Sequence, residues 1–138
     1  MTEVVRTESE DQTAGVAHRL AARLLPGAVI LLTGDLGAGK TAFVRGLAAG
    51  LGLDPDEVSS PTFTLIQEYR GARTLRHVDL YRLHGAEIDD LGLDELNDGG
   101  AVVAVEWAER MPTPAAGAIR VTIVDLGGDA REITIAEK

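Results

Sequence analysis

With 138 residues, 45% of them hydrophobic, the chain is long enough to bury one core and too short for two, so residues 1–138 are expected to form a single domain. A formal net charge of −9 excludes a surface that holds nucleic acid by counterion release, which needs a basic face. Without cysteine there are no disulfides or thiolate metal sites, and the apolar runs are too short to span a membrane.

The first residues carry acids and no apolar run of the secretory kind, so the cytoplasm is the expected location. Thr7 with Glu10, and Ser9 with Gln12, each offer a capping-box start. Val16, Ala17, Leu20, Ala21 and Leu24 then recur at helical spacing up to Pro26-Gly27, which predicts an amphipathic helix. The apolar run 28–32 predicts a strand. It leads into Gly34-Asp35-Leu36-Gly37-Ala38-Gly39-Lys40-Thr41, a match to G-x-x-x-x-G-K-[ST], and a helix-compatible stretch at 41–49 follows, ending near Gly50 and Gly52. Strand, glycine loop and helix is the order a phosphate-cradling P-loop requires. Glycines let backbone N–H groups converge on phosphate oxygens, and the helix that starts there adds the positive end of its dipole. A nucleoside triphosphate and magnesium are the expected ligands, with Lys40 on the β- and γ-phosphates and the Thr41 hydroxyl on the metal.

Asp54-Pro55-Asp56-Glu57 reads as an acidic loop or a new helix start. Residues 63–69 and 74–81 read as strands, and the short link Arg70-Gly71-Ala72-Arg73 favours a hairpin, hence antiparallel pairing. Between 85 and 98, acids alternate with Ile88, Leu91, Leu93 and Leu96, as in one or two short helices with a solvated face. The continuous apolar run 101–105 predicts a strand buried on both faces and ending at Glu106. Beyond Pro112 and Pro114, residues 119–124 and 132–135 predict a terminal strand pair around Leu126-Gly127-Gly128-Asp129.

Hydrolysis needs more than a phosphate cradle: an acid must order magnesium and water, and something must sense the γ-phosphate. By the strand period of two, His77, Asp79 and Tyr81 share one face while Val78 and Leu80 share the other. Asp79 also fits an ordinary carboxylate paired with Arg76 or Arg82, and His77 fits either a structural hydrogen bond or a group that orients Asp79. Glu106 closes an apolar strand, where functional acids of open α/β sheets sit, or is a plain strand-end charge. Ser59-Ser60-Pro61-Thr62 places hydroxyls on a proline-stiffened loop, as a γ-phosphate switch or as a turn. Trp107, the one tryptophan, fits a core or rim aromatic as well as a nucleotide contact. Arg70, Arg73, Arg76 and Arg82 form the one basic cluster, a contact patch or simple strand-edge protection.

Taken together, the glycine loop, Ser60-Pro61-Thr62-Phe63-Thr64, His77-Val78-Asp79-Leu80-Tyr81-Arg82, Asp90-Leu91-Gly92-Leu93-Asp94-Glu95 and Glu106-Trp107 resemble the bacterial TsaE (YjeE) family in order and spacing. The resemblance implies an α/β P-loop NTPase of three layers with a mixed parallel and antiparallel sheet. It also implies a small ATPase of tRNA threonylcarbamoyladenosine (t6A) synthesis, whose hydrolysis resets a complex of two other proteins, TsaB and TsaD, so that tRNA is met only through that complex. Carried over by motif, the nucleotide site comprises Asp35, Leu36, Gly37, Ala38, Gly39, Lys40, Thr41, Ala42 and Trp107. Catalysis falls to Lys40, Thr62, Asp79 and Glu106, and the metal to Thr41, Asp79 and Glu106. The chain departs from the pattern at Ala42, where many members have a second threonine, and at Leu96-Asn97, where an aromatic pair is common.

A small-molecule kinase is the rival enzyme, but its lid needs arginine to neutralise the transferred phosphoryl group, and residues 85–100 hold none. A GTPase reading fails because Asn97, the sole asparagine, is followed by aspartate rather than lysine. A non-hydrolysing, nucleotide-dependent scaffold is the third possibility.

Overall fold

The structure is a computed structural model that describes residues 2–34, 39–58, 66–80, 83, 95–111 and 117–137. It opens on a strand that hydrophobic patterning did not announce, β1 (Thr2–Thr7), which lies at the sheet edge with most of its side chains exposed. An edge strand with no buried alternation leaves no period-two signal. Its one buried residue is Thr7, whose hydroxyl bonds that of Thr13 at 2.8 Å, so of the two capping-box starts Ser9 serves as the N-cap, with Gln12 reaching back to the residue before it. Ser9 Oγ accepts from the Gln12 N–H at 3.1 Å, and Gln12 Oε1 accepts from the Glu8 N–H at 2.7 Å. Helix α1 (Glu10–Ala21) starts there, with Glu10 and Asp11 in its first turn as the helix dipole favours.

The expected strand and P-loop helix follow as β2 (Val29–Thr33) and α2 (Lys40–Gly50). A 3-10 turn, Pro55–Glu57, is capped by Asp54, whose Oδ1 accepts from the Asp56 N–H at 2.9 Å. Next come β3 (Ile66–Tyr69) and β4 (Leu75–Asp79), paired antiparallel as the short link foretold. Strand β5 (Val102–Glu106) is buried at every residue, and β6 (Ile119–Gly127) and β7 (Ala130–Ala136) close the chain as an antiparallel pair, longer than their apolar stretches suggested. The acidic stretch, save residues 95–98, lies outside the described residues.

All seven strands form one sheet in the order β1-β7-β6-β2-β5-β4-β3. The four central strands β6, β2, β5 and β4 run parallel, and antiparallel neighbours flank them on both sides, which makes the sheet mixed. One face is covered by both helices: Val16, Leu20, Phe43, Val44 and Leu47 pack on Ile30, Leu32, Leu75, Val102, Ala104, Val121 and Ile133. The other face carries a thinner layer in which Leu83, Leu96, Trp107 and Met111 cover Leu31, Val78, Val103 and Val105. The helices cross closely because α2 has glycine at the crossing. A Cβ on Gly46 would lie 2.0 Å from the Ala14 carbonyl oxygen.

Among the described arginines the basic cluster is engaged locally. Arg76 and Arg70 both hold Glu68, Arg76 also reaches the Leu96 carbonyl, and Arg73 donates to the Leu24 carbonyl at 3.0 Å. These contacts fit strand-edge protection. Arg82 lies outside the described residues.

Candidate functional site

Because β2, β4 and β5 are parallel, Gly34, Asp79 and Glu106 leave the sheet at the same edge, where open α/β sheets bind ligands. The register is specific: Asp79 stands opposite Glu106, and Leu32 stands opposite Glu106 from the other side. Period two then sorts the faces. His77 and Asp79 follow Leu75, and Glu106 follows Val102 and Ala104, so all three side chains stand on the face that carries α2. Arg76 belongs to the opposite face and is held by Glu68, so it is not the partner the sequence offered to Asp79.

The N-termini of the two helices are built differently. That of α1 is closed by its own serine, glutamine and acids. That of α2 has Gly39 at its cap, no side-chain cap bond and no acid in its first turn. Gly39 adopts φ 100°, a left-handed conformation that glycine takes without strain. The dipole end of α2 is therefore not served by its own side chains, as an anion site requires. Lys40, the first residue of the helix, is 5% exposed, and its Nζ donates to the Gly34 carbonyl at 2.6 Å. The same ammonium lies 3.6 Å from the centre of the Trp107 ring, a cation–π contact. Trp107 reaches it because its backbone turns out of β5 at φ 60°, the one positive φ at a described non-glycine residue.

Asp79 and Glu106 are 6% and 3% exposed, and His77 is fully buried. The imidazole Nε2 bonds Glu106 Oε2, so of the two readings the sequence left open the hydrogen bond is the one seen, with Glu106 rather than Asp79 as its partner. Nδ1 of the same ring has no hydrogen-bond partner among the described residues. Thr41, the second residue of α2, is half-buried, and Ala42 behind it is buried. The structure thus brings Gly39, Lys40, Trp107, Asp79 and Glu106 to one edge of the sheet. Asp35, Leu36, Gly37, Ala38, Thr62 and Tyr81 lie outside the described residues, as do Ser59, Ser60, Pro61 and Phe63.

Two features of the site were missed in the sequence. The bond from His77 to Glu106 depends on the register of β4 against β5, which no local pattern encodes. Arg131 on β7 brings its Nε to 3.8 Å from where a Cβ on Gly39 would sit, while its Nη1 donates to the Gly128 and Ala130 carbonyls at 2.8 Å. Nothing near Arg131 in the chain signals that approach.

The sequence model of the family described as "Threonylcarbamoyl adenosine biosynthesis protein TsaE" matches residues 7–133. The chain is 46% identical over 134 residues to the protein of Bacillus subtilis (strain 168) called "tRNA threonylcarbamoyladenosine biosynthesis protein TsaE", across 94% of this chain and 82% of that one. It is 43% identical over 132 residues to the protein of the same name from Treponema pallidum (strain Nichols), across 94% and 97% of the two. Among solved structures it is similar to one described as "Crystal structure of Bacillus subtilus YdiB", with a TM-score of 0.78 and 39% identity, covering 99% of this chain and 86% of that one. With sequence and architecture matched over nearly its whole length, and with Lys40 at the start of α2 and two strand-end acids at the carboxyl ends of the parallel strands, the chain belongs to the TsaE family of P-loop NTPase fold.

Proposed function

We propose that residues 1–138 act as a single magnesium-dependent ATPase domain in the cytoplasmic synthesis of tRNA threonylcarbamoyladenosine, and that hydrolysis resets the TsaB–TsaD transferase complex. The observation that carries this reading is the placement of buried Lys40, at a helix start without a side-chain cap, at the same end of the parallel strands as two buried carboxylates. Family membership supports the pathway.

Two carboxyl groups opposite each other on adjacent strands in a buried place form a site that a cation would stabilise, since its charge would offset their burial. The donors here are oxygens: the Thr41 hydroxyl and the Asp79 and Glu106 carboxylates, with the nearby imidazole occupied by Glu106. That set fits magnesium, which takes one or two carboxylates plus phosphate oxygens and water. Bound magnesium supplies charge for the β- and γ-phosphates and a site for ordered water. Lys40 exchanges the Gly34 carbonyl for phosphate oxygens, and the first-turn N–H groups of α2 hold the same anion. Thr62 lies near the γ-phosphate in this assignment, with Asp35, Leu36, Gly37, Ala38 and Gly39 as the cradle and Trp107 beside the nucleotide. The acidic surface favours contact with protein, so tRNA is reached through the complex.

Calorimetric titration with magnesium-ATP tests the binding half. The parent should bind saturably, and Lys40→Ala should weaken binding about 10–100-fold, the value of one or two charge-assisted hydrogen bonds. Equal affinity in the two proteins would remove Lys40 from the site.

A further inference from the structure

We infer that His77 is a positioning residue for Glu106: its Nε2–H holds one oxygen of that carboxylate, so that Oε1 alone faces magnesium or its water. The inference rests on the assignment of Glu106 as a magnesium acid.

Four observations carry it. His77 is fully buried and bonded through Nε2 to Glu106 Oε2, so the contact is shielded from water. A carboxylate can only accept, which puts the ring proton on Nε2. Nδ1 is buried without a hydrogen-bond partner among the described residues, so within them the ring is anchored through Nε2. Finally, the two residues sit on neighbouring parallel strands, with His77 opposite Ala104 and Asp79 opposite Glu106. The imidazole therefore reaches past the small Ala104 side chain along the strand to Glu106. Leu75, Val102 and Ala104 are buried on the same face of these two strands. A carboxylate on its own rotates about its last bond with little cost. Fixing one oxygen with a buried donor removes that freedom before nucleotide arrives, which is how outer-sphere partners tune ligands.

The test uses two amides of equal polarity and different reach. His77→Gln carries an N–H to the place of Nε2, whereas His77→Asn is one methylene shorter and falls near Nδ1. With the complex present, kcat of His77→Gln should stay within about fivefold of the parent and that of His77→Asn should fall about 10–100-fold. The dissociation constant for magnesium-ATP should move less than about threefold in both, because phosphate is held by Lys40 and the helix start. Equal kcat in the two variants, or a loss of binding as large as the loss of turnover in His77→Asn, would overturn the inference. Glu106→Gln runs alongside. If it turns over normally, the magnesium-acid assignment itself fails; if it is inactive while both His77 variants match the parent, only the positioning role fails. A second readout needs no variant to fold and no turnover. Nitrogen-15 spectra of the nucleotide-free protein should show the His77 ring protonated on Nε2, and a ring protonated on Nδ1 alone would contradict the bond.

Discussion

Lys40 is the side chain on which the site turns, since a buried ammonium with a carbonyl at 2.6 Å and an aromatic face at 3.6 Å is held ready rather than free to wander. Its place at the start of α2 was legible from the glycine spacing alone, because that spacing encodes a backbone shape. Asp79 and Glu106 were legible for a different reason: one follows a period-two face and the other ends an apolar run, and both patterns survive into the fold. Which group each one touches was not legible. Strand register joins residues far apart in sequence, so of the two readings open for His77, a structural hydrogen bond and a role in orienting Asp79, the sheet gives the hydrogen bond, and gives it to Glu106. The clearest residue-scale prediction concerns that acid. Glu106→Gln keeps the shape and removes the charge, so ATP hydrolysis should fall about a hundredfold or more while ATP binding survives, as measured by turnover against calorimetry. Unchanged turnover would make Glu106 an ordinary strand-end charge.

At the scale of elements, helices and central strands could be read because burial imposes their periods. Strand β1 could not: it gains its place by pairing with β7, from Thr2 opposite Ala136 to Thr7 opposite Arg131, and hides almost none of its side chains. The hairpin of β3 and β4 was foretold by its short link, and its outer face is tied by Glu68 between Arg76 at 2.7 Å and Arg70. The hydrogen bond from Arg76, and then that from Arg70, hold the Glu68 carboxyl below its ordinary value of 4.5. A carboxyl whose folded pKa is depressed stabilises the fold above the unfolded value, and that contribution is lost as pH falls through the folded value. The melting temperature of Glu68→Gln should therefore lie below that of the parent at neutral pH, by a small margin for so exposed a pair, and the two should converge at acid pH beneath 4.5. A gap that persists undiminished at low pH would show that charge is not what the pair contributes.

The whole molecule joins a helix pair to one face of a mixed sheet, and the α1–α2 crossing sets where the start of α2 lies against β2. Two effects compete at Gly46. Alanine gains about 1 kcal/mol in helix propensity, but its Cβ meets backbone, and overpacking of this kind costs about 3 kcal/mol. The Ala14 carbonyl at 2.0 Å cannot swing aside as a side chain would, so Gly46→Ala should be net destabilising in urea unfolding. A more stable variant would mean the helices separate easily. The charge of −9 belongs to this scale as well, since it disfavours direct binding to RNA. Among the described residues no helix is long and apolar enough to cross a membrane. Steady-state ATP hydrolysis by the purified chain, alone and with TsaB–TsaD, using Lys40→Ala as the blank, bears most directly on the proposed reset. Stimulation by the complex that disappears in the blank is the predicted result; hydrolysis at the same rate with and without the complex would contradict it and return the small-molecule kinase to consideration.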